Sequence, residues 1–220
     1  MTDGSLHDAS VESLFTSAGA LLDGHFVLKS GRHAGRYLEK FLVLQHPRYG
    51  VELCRRLAEA LAPYVPSLVV GPTTGGVLLS FETARQLGGS VRAAFAEPVA
   101  SGDRALRRGW PIAADERVVI VDDILTTGAS LVETVEAVRA AGVDPVAAAV
   151  MVDRSVEPVE LGLPLHSLGR IEIPSWDAGA CELCAAGVPV RKPGAVRRRR
   201  AVRPSADSTS ARVHDCTRKV

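Results

Sequence analysis

Val118-Val119-Ile120-Val121-Asp122-Asp123-Ile124-Leu125-Thr126-Thr127-Gly128-Ala129-Ser130 runs from an apolar stretch through two adjacent acids into a Thr- and Gly-rich turn. Beyond it, Leu131, Val135 and Val138 fall on one stripe and Gly142 supplies a C-terminal cap. The string therefore predicts a buried strand handing over to a helix from about Ser130 to Ala141. Two carboxylates are expected at the exposed tip of that strand. The turn and first helical residues present backbone N–H groups, and the helix dipole adds partial positive charge. A phosphate monoester fits there, with the hydroxyls of Thr126, Thr127 and Ser130 as further donors and Gly128 allowing close approach. Acids touching that anion would repel it, so Asp122 and Asp123 make sense as acceptors for sugar hydroxyls. One sugar phosphate satisfies both halves of the motif. No Gly-Lys-Thr or Gly-Lys-Ser follows the glycine, and no Gly-x-Gly-x-x-Gly occurs, so nucleotide P-loop and dinucleotide readings fail.

The same pattern recurs outward from this string. Leu68-Val69-Val70 ends in Gly71-Pro72-Thr73-Thr74-Gly75-Gly76 and is followed by helical periodicity to about Leu87. Residues 146–152 form another apolar run, ending in Asp153-Arg154. Continuously apolar strands alternating with helices predict an α/β fold, a mostly parallel sheet with helices on both faces. In such sheets ligands sit beyond the carboxyl ends of the strands. Towards the N-terminus, Val11, Leu14, Phe15, Ala18, Leu21 and Leu22 predict an amphipathic helix ended by Gly24. Residues 26–31 and 37–44 read as short strands, and 49–61 as a helix stopped by Pro63. One domain over residues 1–194 is expected, with a small N-terminal hood at about 10–45 and a basic, disordered tail at 195–220.

Composition bounds the rest. In 220 residues, hydrophobic side chains are 46% and charged ones 23%, an ordinary soluble balance. The net charge of +1 gives no reason to expect nucleic acid as partner. It conceals a basic end: Arg191, Lys192, Arg197, Arg198, Arg199, Arg200, Arg203, Arg212, Arg218 and Lys219 face only Asp207 and Asp215. This end reads as solvated. No stretch approaches the ~20 apolar residues of a membrane span, and the start lacks signal-peptide character, so a cytoplasmic protein with no membrane contact is expected.

The string at 118–130 resembles the phosphoribosyl-diphosphate signature of type I phosphoribosyltransferases. That resemblance implies their fold, with Asp122 and Asp123 on ribose hydroxyls and residues from Ile124, Leu125 and Thr126 through Thr127, Gly128, Ala129 and Ser130 around the 5-phosphate. It also implies magnesium, held mainly by the donor's own diphosphate and hydroxyls. The stretch Gly19-Ala20-Leu21-Leu22-Asp23-Gly24-His25-Phe26-Val27-Leu28-Lys29-Ser30-Gly31-Arg32-His33 is similar to that of orotate phosphoribosyltransferases. By that similarity Lys29 contacts the donor and takes part in catalysis. Tyr37 and Leu38 lie against orotate, with Thr126 beside it, and Arg154 grips the orotate carboxylate. An Arg fork is a natural bidentate partner for a carboxylate. The resemblance spans roughly 10–194 and implies a homodimer with a mobile loop shared between subunits. Two departures stand out. Thr74 and Gly75 replace the family's Tyr-Lys pair, and the loop at 97–110 carries Arg104, Arg107 and Arg108 but no Lys or His.

Cys181-Glu182-Leu183-Cys184 has zinc-ligand spacing, but Cys54, Cys216 and the histidines offer no partner pair at a convincing interval. A reduced, inert or redox-sensitive pair is expected, with no metal ligand assigned, and no proton-transfer role falls to His25 or His33. Two other functions fit the motif. A phosphoribosyltransferase for a purine or uracil has no need of Arg154. A non-catalytic regulator sensing the same donor needs a DNA-reading module, and none is visible.

Overall fold

The computed structural model describes residues 4–28 and 30–192; Lys29 and the basic tail lie outside the described residues. Seven α-helices and nine strands follow one another there: α1 (Gly4–His7), α2 (Val11–Ser17), β1 (Leu21–Val27), β2 (His33–Leu38), α3 (Lys40–Leu44), α4 (Pro47–Leu61), β3 (Leu68–Pro72), α5 (Gly75–Leu87), β4 (Arg92–Pro98), β5 (Arg104–Ala105), β6 (Val118–Leu125), α6 (Ala129–Ala140), β7 (Ala147–Asp153), β8 (Leu165–Ser167), β9 (Ser175–Trp176) and α7 (Glu182–Ala185).

The main sheet has the order β5-β4-β3-β6-β7-β8, parallel throughout except for the β4–β5 hairpin. Its continuous apolar runs have the physical cause the sequence indicated, burial on both faces. Val69, Val119, Val121, Ala149 and Met151 point to one side, against Leu53, Leu57, Leu61 and Leu79 of α4 and α5. Leu68, Val70, Ile120, Ala148 and Val150 point to the other, against Leu131, Val135 and Val138 of α6. Every strand of this core is therefore apolar at odd and even positions alike.

A second sheet, β1-β2-β9, is antiparallel and forms the hood. Here the local reading needs correction. The helix expected to reach Leu22 stops at Ser17, because Gly19 takes φ 66° and closes a Schellman turn: its N–H donates to Thr16 O at 2.9 Å, and that of Ala20 to Phe15 O at 2.8 Å. Leu21 and Leu22 then open β1, which contains Gly24 instead of ending at it. The strand expected at 37–44 ends at Leu38. Glu39 caps α3 by accepting from the N–H of Phe41 at 3.2 Å, so the second half of that apolar run is helical.

No helix among the described residues is long and apolar enough to cross a membrane. Ile120→Ala, in the fully buried centre of β6, is expected to cost about 2–5 kcal/mol of unfolding free energy. Val156→Ala, at a side chain 90% exposed, should change stability by less than about 0.5 kcal/mol. Urea titration of both variants checks the contrast.

Candidate active site

The acid pair does not sit at an exposed tip. β6 continues through Asp122, Asp123 and Ile124 to Leu125, leaving the two acids 5% and 3% exposed. Two neighbouring buried carboxylates need partners, and the chain supplies them locally and from afar. Asp122 accepts from Ser130 Oγ at 2.6 Å and from the backbone N–H of Asp123 at 2.7 Å. Asp123 accepts from the N–H of Ile124 at 2.8 Å. Lys40, at the start of α3, places Nζ 2.9 Å from Asp123 Oδ1 and 2.7 Å from Oδ2. This lysine was not anticipated from the sequence. Nothing in its neighbourhood singles it out, because its partner lies 83 positions away.

The loop after β3 closes over the same acids. A Cβ at Gly75 would lie 2.0 Å from Asp123 Oδ2, and one at Gly71 would lie 2.3 Å from the carbonyl oxygen of Gly76. Only glycine lets this loop pack so tightly. The peptide Thr73–Thr74 in the loop is cis. Beyond β6, Thr126 and Thr127 are exposed and Gly128 takes φ 78°. A Cβ at Gly128 would meet Val159 Cγ1 at 2.4 Å, a second reason for glycine besides its conformation. Gly128, the N-cap of α6, offers no side chain to its amides, and Thr127 Oγ1 reaches only the first, accepting from the Ala129 N–H at 3.5 Å. The first-turn amides of α6 therefore face the space above the acids, the arrangement expected of an anion cradle.

Arg154 follows β7 directly, its backbone N–H donating to Leu125 O at 2.8 Å, which seats it beside the turn at Thr126. Its Nε is buried and has no hydrogen-bond partner among the described residues. Burial pulls the guanidinium down from its ordinary value, and only the nearby Tyr37 hydroxyl acts in the other direction. Burial and Glu39 raise the Tyr37 hydroxyl, while Lys40 and Arg154 lower it, so these side chains share one neighbourhood. A cavity of about 270 Å³ adjoins Arg154, walled by Ser155 and residues 170–174. Leu38 differs from Tyr37. It points into the core, 3% exposed, because successive strand residues alternate faces.

The three loop arginines are not alike. Arg104 is a brace, with Nε 3.1 Å from Glu133 Oε2 and Nη1 3.3 Å from the carbonyl oxygens of Thr73 and Ala96. Arg108 makes a bidentate pair with Glu97 at 2.9 and 2.6 Å. Arg107 is exposed and has no ion pair among the described residues. Thus the structure brings together Tyr37, the 122–130 segment and Arg154, and adds Lys40.

Residues 49–162 match the phosphoribosyl transferase domain. The chain is 46% identical to the orotate phosphoribosyltransferase of Pelotomaculum thermopropionicum over 184 residues, covering 84% of this chain and 95% of that one. The orotate phosphoribosyltransferase of Desulforamulus reducens is 41% identical, over 82% of this chain and 93% of its own length. The chain belongs to the orotate phosphoribosyltransferases. The crystal structure of the orotate phosphoribosyltransferase from Aeropyrum pernix superposes with a TM-score of 0.58 at 28% identity, covering 72% of this chain and 92% of that one. The chain thus shares the α/β fold of that enzyme, with its mostly parallel central sheet.

The electrostatics of the acid pair carry a pH signature. Burial, and then the Asp123 carboxylate, push the Asp122 carboxyl up to about 6. A folded-state value above the ordinary one means that ionising Asp122 costs the fold stability. That cost is absent where the group is protonated in both states, grows through the ordinary carboxylate range, and is complete above about pH 6. Asp122→Asn is therefore expected to stabilise the chain most above about pH 6, with the gain shrinking as pH falls towards about 4. Denaturant unfolding of both proteins across that range measures it. A gain independent of pH would mean that the charge of Asp122 is not what the fold resists.

Proposed function

We propose that this chain transfers the phosphoribosyl group of 5-phosphoribosyl 1-diphosphate to orotate, yielding orotidine 5′-phosphate and diphosphate on the pyrimidine route to UMP. The observation that carries the choice of base is Arg154, a half-buried guanidinium whose buried Nε has no partner among the described residues, beside the sugar-phosphate segment. An unmet buried donor costs roughly 1–3 kcal/mol, more when charged, so such a group favours an anionic partner. Orotate brings a carboxylate. A purine or uracil would leave Arg154 unpaired.

In this reading the amides of 126–130 and the hydroxyls of Thr126 and Thr127 hold the 5-phosphate, while the Ser130 hydroxyl goes on donating to Asp122. The carboxylates of Asp122 and Asp123 accept from the ribose hydroxyls and fix the anomeric carbon towards the base. Lys40 holds the Asp123 carboxyl in place without being consumed. Tyr37 covers the ring, and Leu38 contributes through its backbone alone. Orotate N1 attacks the anomeric carbon while the bond to the diphosphate oxygen breaks; the electron pair leaves with the diphosphate and the N1 proton is released to solvent. The chain supplies orientation and charge complementarity, which suffices for a displacement with an oxocarbenium-like transition state.

The carboxylates at the site are engaged by Ser130 and Lys40. A magnesium ion fits this site through the hard oxygens of the donor, with Asp122 and Asp123 acting on it through the ribose hydroxyls. When bound, it supplies positive charge to the leaving diphosphate. Arg107 and Arg108 are the proposed protein cations for the same purpose. Releasing Arg108 from its exposed pair with Glu97 costs little, roughly 0–1 kcal/mol. Lys29 is proposed as a donor contact from the family resemblance.

A homodimer is also proposed. Leu78 and Phe81 lie one turn apart on α5, 51% and 67% exposed, an apolar face suited to a second copy. Phe81→Asp is expected to yield a monomer in light scattering, and an unaltered dimer would place the contact elsewhere.

Loss of orotate absorbance with magnesium and the donor tests the reaction. Arg154→Ala is expected to lose about 2–4 kcal/mol of transition-state binding, or roughly 30- to 1,000-fold in kcat/KM for orotate, with donor affinity retained. Unchanged turnover in that variant would overturn the role of Arg154. Absent turnover by the parent chain with intact donor binding would overturn orotate as the base.

A further inference from the structure

The hood and the C-terminal segment meet in a cluster the phosphoribosyl site does not use. His25, His33, Cys181 and Cys184 present one ligand atom each, all within 4.8 Å of one another. His25 Nε2 lies 2.8 Å from His33 Nδ1, 3.4 Å from Cys181 Sγ and 3.7 Å from Cys184 Sγ. Cys184 Sγ lies 3.3 Å from His33 Nδ1. A tetrahedral zinc ion at about 2.0–2.1 Å from nitrogen and about 2.3 Å from sulfur implies N–N edges of about 3.3 Å and N–S edges of about 3.6 Å. The N–S spacings of 3.3, 3.4 and 3.7 Å bracket their edge, while the N–N spacing of 2.8 Å is about 0.5 Å short of its own, so an ion needs the two imidazoles to part by a small expansion of the cluster.

The backbone prepares each ligand. A bulge in β1 sets Gly24 and His25 against the single residue Gly35 of β2, between the pairs Asp23–Arg36 and Phe26–Ala34. His25 and His33 then project to the same side of the hairpin. Arg191, beyond the two cysteines, pairs with the far edge of β1, its N–H donating to His25 O at 2.7 Å. On the other side β9 pairs with β2, placing Trp176 opposite His33. The ring of His25 is oriented by a hydrogen bond between Nδ1 and Val188 O at 2.7 Å, and a carbonyl can only accept. The proton is therefore on Nδ1, and Nε2 turns its lone pair into the cluster. A backbone carbonyl behind a histidine in this way is the usual support of a ligating imidazole. Cys181 precedes the one-turn helix α7 and Cys184 lies within it, the compact turn of a Cys-x-x-Cys metal knuckle. Three of the four residues are buried, while Cys184 is exposed and leaves a way in.

We propose that His25 Nε2, His33 Nδ1, Cys181 Sγ and Cys184 Sγ bind one zinc ion that fastens the hood hairpin to the C-terminal segment. Two thiolates and two imidazoles with no vacant position make a closed tetrahedral set, which selects a soft or borderline ion and excludes magnesium. The site is separate from the sugar-phosphate segment and its role is structural. It ties together positions 148 or more apart in sequence (33 to 181), so its contribution to stability comes with each zinc bound. The proposal departs from the expectation of an unligated cysteine pair, because the fold brings His25 and His33 to the two thiols.

The test uses the full chain purified without chelator from zinc-replete cells. Near-stoichiometric zinc is expected by elemental analysis for the parent and for Cys216→Ser, whose cysteine is outside the set. Cys184→Ser and His33→Gln should lose most of it. Cobalt substitution of the parent needs no variant and should give the intense visible bands of a tetrahedral site together with thiolate-to-cobalt charge transfer. A strong chelator should lower the Tm of the parent but not of Cys184→Ser. The proposal is overturned by a parent chain that holds neither zinc nor tetrahedral cobalt when offered them, which would leave a hydrogen-bonded histidine pair beside free thiols. Zinc retained by the Cys184→Ser, His33→Gln double variant would overturn it equally.

Discussion

Two carboxylates on adjacent residues inside a buried strand are the constraint around which this molecule is arranged. Asp122 and Asp123 cannot both be ionised in an apolar interior without compensation, because each desolvated charge costs several kcal/mol unless partnered. Every neighbouring element contributes. α6 lends the Ser130 hydroxyl, β6 lends its own amides, the loop before α5 gives up side chains so that Asp123 has room, and α3 delivers Lys40. The hood is thereby tied to the main sheet through the acid pair. A structure that only stored apolar area would replace the pair with valines. Keeping it makes sense when a polyhydroxylated ligand completes the hydrogen bonding.

The hood is the part least able to hold itself in place. A three-stranded sheet with one short strand buries little on its own. Two fastenings compensate: Lys40 on Asp123 at one end, and the His25, His33, Cys181 and Cys184 cluster at the other. Arg32 adds a third, exposed contact, with Nη1 2.6 Å from Asp177 Oδ1 and Nη2 2.7 Å from Ser175 O. The first of the three joins the hood region to the main sheet, and the other two join it to the last stretch of the described chain. The Tyr37 face of the site is framed between them.

The three central strands of the main sheet, β3, β6 and β7, were legible because their signals are local: unbroken apolar runs, glycine-rich turns and a 3.6-residue stripe on α6 each lie within a dozen residues, whereas β4, β5 and β8 carry no run of large apolar residues and were not read. The hood was misread for an equally physical reason. Leu21 and Leu22 continue the stripe begun by Val11, and only the left-handed conformation of Gly19 separates them. Gly19 and Gly24 look identical on paper, and which one ends the helix depends on the β1–β2 pairing. Within the site, the 122–130 segment could be singled out because two acids and a Thr- and Gly-rich turn follow an apolar run, whereas Arg154 stood out only through the family resemblance. Lys40, and the histidine partners of Cys181 and Cys184, could not, because tertiary pairing at separations of 83 to 159 residues brings them together.

Under the proposed reaction, the loop arginines would hold charge in reserve. A cation fixed permanently over the donor site would hold diphosphate as tightly as the substrate and slow its departure. Arg104 is committed to Glu133 and to the carbonyls of Thr73 and Ala96, so it sets the shape of the β4–β5 hairpin and of the adjoining loop. Arg108 is parked on Glu97 at the surface, and Arg107 projects from the same hairpin region into solvent. Exchanging one exposed carboxylate for a diphosphate oxygen is close to neutral in free energy. Such a cation can follow the developing charge and return when the product leaves. Guanidinium suits that exchange, because its fork accepts carboxylate or phosphate with the same geometry. A hairpin with arginines at these positions can therefore take the place of a lysine- and histidine-bearing loop without altering the logic of the site.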